Sequence, residues 1–317
     1  MAYRGKVAAD LAPVLAAAVR APSAHNAQPW RLEATGDDAY DVAYAHADRL
    51  LADPDDRDGL LAIGAFIETM ALAAEHRGLT LTFAPGVVER GDRLVLGRLA
   101  LAPLDREPDP LAAAVERRVT NRHPYDRSPL PPGLRDRLAE LGCAFVDPRA
   151  VVPLVRRASV MAWKDRRFIR DLRDWTRFDD AADDGLTCDC LELSWLDRQA
   201  LRGALAAGRL PTPIAHAFAT RDVRMTRASS AVAVLGVTSR DSLELVECGR
   251  RLLRAWVTLT AAGWSYHPIS IVIDQPTALE LPALCGLADP VAIFRVGYTA
   301  EAPTPSRRRG MDRTLTT

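Results

Sequence analysis

At 317 residues the chain has room for about two domains of ~150 residues each and is too long for a peptide-binding module. Its 41 basic and 41 acidic residues cancel, which argues against a general nucleic-acid binder, since such proteins carry a basic excess. With 48% hydrophobic and 26% charged residues, the composition is that of a soluble globular protein, not a disordered or fibrous one. Lys6 and Lys164 are the only lysines, so 39 of the basic residues are arginine and a single arginine is weak evidence of chemistry. Five cysteines, an odd and small number, fit a reducing compartment, and a cytoplasmic location is expected. Cys188 and Cys190 form a lone C-x-C without the further ligands a tetrahedral zinc site needs.

Leu11, Val14, Leu15 and Ala18 repeat at helical spacing within Val7–Val19, so the sequence opens on an amphipathic helix. Asp10 and Pro13 interrupt the apolar run a signal peptide would need, and no run approaches the ~18 residues of a membrane span. A loop over Ala21–Pro29 leads to a strand at Trp30–Ala34, paired through the Gly36-Asp37-Asp38 turn with one at Asp41–Ala45. Residues 47–58 form a polar, proline-interrupted connector. A buried helix is predicted from Gly64 to Gly78, with Phe66, Ile67, Met70, Ala71 and Ala74 as its apolar stripe and Gly78 as its stop. Strands follow at Leu79–Phe83 and Arg93–Ala102. The Pro- and charge-rich stretch Pro103–Pro110 then separates a first part, residues 1–106, from a second, 107–317.

The second part begins with a short helix at Leu111–Arg118. From Val152 to Arg209 the pattern is mostly helical and carries Trp163, Trp175 and Trp195. Ala231–Thr238 reads as a strand, Cys248–Ala262 as a helix and Val291–Tyr298 as a last strand before a basic tail. Gly64 and Gly78 bracket one helical stretch, Gly249 and Gly263 another of the same length, and each half closes on a hydrophobic strand. This order points to a duplicated α+β unit. Neither G-x-G-x-x-G nor a P-loop occurs, so a doubly wound nucleotide fold lacks its phosphate loop.

Four stretches carry candidate chemistry. Pro22-Ser23-Ala24-His25-Asn26-Ala27-Gln28-Pro29-Trp30 sets a hydroxyl, an imidazole and two amides between prolines, which suits a flat heteroaromatic ring with alternating C=O and N–H edges. The same loop also reads as a helix-to-strand turn with Ser23 and Asn26 capping backbone groups. Arg117-Arg118-Val119-Thr120-Asn121-Arg122 suits a phosphate monoester, with a solvated arginine cluster as its plainer meaning. Tyr266-His267-Pro268-Ile269-Ser270 is either the edge of a pocket or the start of a strand. Ser306-Arg307-Arg308-Arg309 either closes over a phosphate or is a solvated tail.

Together these motifs resemble the nitroreductase superfamily of flavin mononucleotide (FMN) oxidoreductases, and within it the Acg-like branch, in which two nitroreductase units are fused. Ala21–Trp30 is similar to that family's A-P-S-x-x-N-x-Q-P-W signature, Arg118–Arg122 to its R-x-[ST]-x-R motif, and Arg295–Arg309 to the arginine-rich end of Acg-like members. The resemblance implies an α+β, nitroreductase-like fold duplicated in one chain as a pseudo-dimer, with central mixed or antiparallel sheets flanked by helices. In the ordinary family the arginine motif precedes the A-P-S motif within one subunit. Here the A-P-S loop lies in the first half and the arginine motif in the second, which implies one composite FMN site per chain. On that reading Arg118, Thr120 and Arg122 hold the phosphate and ribityl chain. Pro22, Ser23, Asn26 and Gln28 border the isoalloxazine, with Pro268, Ile269 and Ser270 on another side, and Arg307 and Arg308 join the phosphate.

The function implied is NAD(P)H-linked reduction of a small-molecule electron acceptor, such as a nitroaromatic or quinone, by ping-pong hydride transfer. The flavin carries the redox chemistry, so no catalytic side chain and no metal are required. His25 and His267 are either proton donors or structural. No nucleic-acid or membrane partner is expected, and the chain is either a monomer with an internal pseudo-dimer or a homodimer. The competing reading is an FMN store, in which residues 155–210 lie over the flavin as a lid and turnover is slight. Core packing is the plainer meaning of the three tryptophans.

Overall fold

The computed structural model describes residues 11–36 and 39–316. Residues 11–18 are helical (α1), and the part of the predicted helix from Val7 to Asp10 lies outside the described residues. The first half then gives β1 (Trp30–Ala34), β2 (Ala39–Ala45), α2 (Arg57–Glu75), β3 (Leu79–Arg90) and β4 (Arg93–Pro103). The second gives α3 (Pro132–Glu140), β5 (Ala144–Val146), α4 (Pro148–Ala162), α5 (Arg166–Trp175), β6 (Thr176–Arg177), β7 (Leu186–Thr187), α6 (Trp195–Ala207) and α7 (Thr212–Arg227). It continues through β8 (Ala231–Val237), α8 (Ser242–Ala261), β9 (Ser265–Pro268), α9 (Leu281–Cys285), β10 (Asp289–Gly297) and β11 (Leu315–Thr316). The fold class is α+β, and no helix among the described residues is long and apolar enough to cross a membrane.

Two antiparallel sheets share one strand order. In the first, β1-β2-β4-β3 are neighbours; in the second, β5-β8-β10-β9. In each, a long helix leaves the second strand of that order and returns to its edge: α2 between β2 and β3, α8 between β8 and β9. The last strand, β11, crosses back from the second half and adds in parallel to β1, Leu32 facing Leu315.

Both long helices begin earlier than predicted. Asp53 accepts the amides of Asp58 and Gly59 at 2.8 and 3.2 Å, and Asp241 those of Leu243 and Glu244, so acidic caps set the starts well before the bracketing glycines. Gly64 and Gly249 are therefore interior, and the reason is close approach. A Cβ on Gly64 would lie 1.9 Å from the carbonyl oxygen of Val246, and one on Gly249 would lie 2.1 Å from that of Leu61. The helices cross backbone to backbone at a reciprocal pair of contacts, each glycine meeting the carbonyl three residues before the other. Around the crossing one core joins Trp30, Leu32, Phe66 and Leu99 from the first half to Leu245, Trp256, Phe294 and Val296 from the second.

The mostly helical stretch after Val152 is α4, α5 and α6, but 178–193 is irregular apart from the β6–β7 ribbon, since a run of aspartates and Gly185 break the helical pattern. α3 and α7 were not anticipated; both open on prolines, which suit a first helical turn but read as breakers in a sequence. Trp163 packs with Ile169, Leu201 and Leu205 in a small separate core, whereas Trp195 stands 69% exposed.

Candidate functional site

The loop before β1 turns through three left-handed residues, His25 (φ 52°), Asn26 (φ 56°) and Gln28 (φ 56°). Asn and His tolerate this region better than most residues, and such strain concentrates at binding sites. Ser23 Oγ stabilises the turn by accepting the Gln28 amide at 3.0 Å. Asn26 Nδ2 donates to the carbonyls of Gly185 and Arg307, each at 3.0 Å, while its Oδ1 is buried without a partner. Gln28 Nε2 donates to the carbonyls of Asn26 and Asp183, and its Oε1 accepts the Arg309 amide at 2.9 Å. One loop of the first half thus fastens both the β6–β7 region and the C-terminal tail.

Two adjoining cavities open beside it. One, of about 310 Å³, is lined by Pro22, Ser23, Thr120, Arg122, Pro268 and Ser270 among others. The second, of about 290 Å³, shares Pro22, Ser23, Thr120 and Arg122 and adds Asn26, Arg118, Arg307 and Arg308. Each is close to the lower end of the ~300–1,000 Å³ range usual for small-ligand sites. Ten of the twelve predicted site residues therefore come together. Gln28 and Ile269 line neither cavity: Gln28 is fully used by the loop, and Ile269 packs in the core beneath the second sheet. Tyr266–Pro268 belongs to β9, so this stretch is a strand whose end also borders the cavity.

The second cavity is cationic. Arg118 donates to Tyr266 Oη at 2.6 Å and to the Arg20 carbonyl at 2.7 Å, Arg122 to the Cys190 carbonyl at 2.8 Å, and Arg308 to the Ala21 carbonyl at 3.2 Å. Among the described residues no carboxylate lies within 4 Å of any of these three guanidiniums. Burial, with Arg118 and Arg20 close by, pushes Arg308 down to about 9, and burial also lowers Arg122. Arg309, one residue on, differs: Asp48 and Asp184 pair with it at 3.0 and 2.8 Å.

The lining of the first cavity also includes acidic residues. Asp53, Asp58 and Asp274 line it, and Arg57 bridges the last two at 2.7 and 2.5 Å. Burial and the neighbouring Asp58 push the Asp53 carboxyl up. Leu61, Ala62 and Ala65 of α2, Leu252 and Trp256 of α8, and Phe168 of α5 form the cavity's apolar wall. The buried indole nitrogen of Trp256 has no hydrogen-bond partner among the described residues.

His267 also faces this cavity, and its protonation is fixed by its neighbour. Arg295, fully buried beneath the Tyr125 ring at 4.1 Å, donates Nε to His267 Nδ1 at 3.1 Å. An arginine offers only donors, so Nδ1 must be the bare nitrogen and the imidazole proton sits on Nε2. Burial and the nearby Arg295 hold the His267 pKa well below the ordinary histidine value. His25 lines the same cavity, its Nδ1 buried and without a partner among the described residues, its pKa lowered by burial. Sequence reasoning missed Arg20, Asp53, Asp274 and Arg295. No local pattern marks Arg20, Asp53 and Asp274, which only the fold brings to the cavities, while Arg295, known from the sequence only as the start of the arginine-rich end, acts through His267.

No family model matches the chain. At 27% identity over 323 residues, it is similar across 95% of its length to 90% of "Putative NAD(P)H nitroreductase Rv3131" of Mycobacterium tuberculosis. At 25% identity over 346 residues, 94% of it aligns with 90% of "Probable NAD(P)H nitroreductase PigM" of a Serratia species. Among solved structures, the FMN-dependent nitroreductase NfnB from Mycobacterium smegmatis, in complex with NADPH, matches 65% of this chain and 99% of its own, at 17% identity and a TM-score of 0.39.

Proposed function

We propose, from the premise that this chain belongs to the nitroreductase superfamily, that it is an FMN-dependent NAD(P)H oxidoreductase acting on small nitroaromatic or quinone-type acceptors. The observation that carries this reading is the carboxylate-free group of buried Arg118 with half-buried Arg122 and Arg308, beside Thr120, in a cavity adjoining the apolar-walled one. Like charges held together out of water are costly without a counter-ion, and a phosphate monoester dianion is the ligand that neutralises them bidentately. The unpartnered acceptor Asn26 Oδ1 fits a ribityl hydroxyl or a ring N–H, and both kinds of donor belong to FMN. When bound, FMN supplies the redox chemistry, taking hydride from NAD(P)H and passing it to the acceptor in ping-pong order.

The chain's own groups bind, orient and exclude water. Arg118, Arg122, Arg308 and Thr120 hold the phosphate, Pro22, Ser23 and Asn26 border the ring, and Pro268 and Ser270 flank it. His267 offers a permanent Nε2–H donor to an acceptor atom in the cavity. The wall of α5 and the β6–β7 ribbon keeps water from the reacting face.

We further read residues 1–106 and 107–317 as two copies of one unit, Acg-like in plan, which supply the two sides of a single site. The common strand order and the reciprocal Gly64–Gly249 crossing support this. Purified protein should be yellow and release FMN on denaturation; a colourless preparation that cannot be reconstituted sinks the proposal. Anaerobic NADPH or NADH should then bleach the flavin band. Bleaching by dithionite but by neither nucleotide would turn the reading to flavin storage.

A further inference from the structure

A second concave surface lies on the outer side of the cavity wall. Arg166, Arg167, Arg170 and Arg173 of α5, with Arg209 and the backbone turn Ala207-Gly208 after α6, line a groove of about 460 Å³, and no acidic residue lines it. Their spacing along α5 places these guanidiniums along one side of the helix, while Phe168 of the same helix lines the main cavity. An α-helix is about 10–12 Å across, so groove and cavity are separated by little more than one helix.

All five groove arginines are exposed, and their pairing differs from that of two arginines elsewhere in the 163–210 segment. Arg198 bridges Asp180 and Asp189, and Arg177 holds Asp184 at 2.8 Å. In the groove, Arg167 lies 3.6 Å from Asp165, and Arg173 spends one nitrogen on the Leu205 carbonyl at 2.9 Å. Among the described residues, Arg166, Arg170 and Arg209 have no carboxylate within 4 Å. Five guanidiniums around one small concavity are matched by a compact, highly charged anion, and a guanidinium pairs bidentately with phosphate oxygens.

We propose that this groove binds a phosphate monoester, and that its ligand is the 2′-phosphate end of a reduced dinucleotide serving the neighbouring cavity. This rests on the proposed oxidoreductase reading. Arginine is the residue that accommodates a 2′-phosphate in dinucleotide sites, so the groove makes NADPH the preferred reductant.

The test uses the full chain loaded with FMN. Calorimetric titration with 2′,5′-ADP should show binding at least tenfold tighter than 5′-AMP, weakening as salt rises. The Arg166→Gln/Arg170→Gln variant should lose that advantage and show a KM for NADPH raised at least tenfold, with the KM for NADH unchanged. A control, Arg137→Gln/Arg156→Gln, removes the same charge from other helices and should retain the advantage. Equal affinity for the two probes, or an advantage that survives in the groove variant, overturns the proposal. If 2′,5′-ADP competes with NADPH, the source is the dinucleotide. If it binds in the groove without competing, the phosphate-monoester site stands and its ligand is a free nucleotide. Flavin content and anaerobic bleaching by NADH, which carries no 2′-phosphate, report separately on the oxidoreductase reading in the same samples, since both are independent of the groove.

Discussion

At the scale of single residues, the cationic cavity is a place where binding and stability pull apart. Arg122 is half-buried and bonded to one carbonyl, and burial with the nearby Arg221 lowers its pKa, so the fold disfavours its charge. Replacing Thr120 and Arg122 together with alanine should weaken FMN retention by about ten- to a hundredfold, the value of one or two charge-assisted hydrogen bonds. The melting temperature of the apoprotein should fall little, because repulsion is relieved as packing is lost. Fluorescence of released FMN and calorimetry of the stripped protein read the two effects separately. Histidine adds a pH dependence. His25 and His267 stay neutral when folded but would take up protons near pH 6.5 when unfolded. The unfolded state then binds more protons, and each histidine contributes stability that is present above pH 6.5 and lost as the pH falls below it. The raised carboxyl of Asp53 has the opposite slope, so the comparison of variants is what isolates the imidazole. His267→Gln, which keeps an acceptor for Arg295, should flatten the acid-side loss by up to ~1.4 kcal/mol per pH unit in urea unfolding between pH 7.5 and 5.5.

At the scale of elements, the crossing of α2 and α8 depends on two hydrogen atoms where other residues carry a methyl. Gly249→Ala would push a Cβ into the Leu61 backbone and should cost about 1–3 kcal/mol or more as the helices part. Gly203, inside α6, meets nothing within 4 Å, so Gly203→Ala should stabilise by up to ~1 kcal/mol through helix propensity alone. Opposite shifts in chemical denaturation would separate close approach from glycine's general cost. This pair also shows where the sequence stops being informative. The spacing of Gly64, Gly78, Gly249 and Gly263 was visible, and Gly78 and Gly263 do adopt left-handed backbone after their helices. That Gly64 and Gly249 touch opposing carbonyls was not visible, since periodicity identifies a buried face but not what lies against it. The strands of alternating or continuous apolar residues, β1, β2, β4, β8 and β10, were legible for the same reason that α3 and α7 were not. Hydrophobic period survives in strands, whereas a proline in a first helical turn looks like a break.

At the scale of the whole molecule, the candidate site is assembled from four distant stretches, and the 163–210 segment, which lends Phe168, Leu186 and Leu191 to the cavity wall, is tied to the first half by a few polar contacts. Asp171 of α5, 2% exposed, accepts the amides of Leu51 and Ala52 at 2.9 and 2.6 Å, joining the segment to the first half. Asp171→Ala leaves two donors unmet and should cost about 1–3 kcal/mol locally. Hydrogen exchange at Leu51 and Ala52 should accelerate, and FMN should leave faster in a chase with excess free riboflavin phosphate. The A-P-S loop and the arginine motif could be read from their residues because each is short and contiguous. Asp53 and Asp274 could not, because their meaning arises where Arg57 and Asp58 of α2 meet Asp274 of the second half, nor could Arg295, whose partner His267 lies on the neighbouring strand.

The return of β11 to β1 has a consequence for the order of events in synthesis. A ribosome releases the first half long before residues 307–316 exist, so β1 waits with an unpaired edge. Asn26 likewise waits for the Arg307 carbonyl, 281 positions later, and Gln28 for the Arg309 amide. Contacts so remote along the chain form late and slowly. The proposed cofactor pocket is therefore among the last features the nascent protein completes, and a flavin taken up earlier would find the arginines proposed for its phosphate still unassembled.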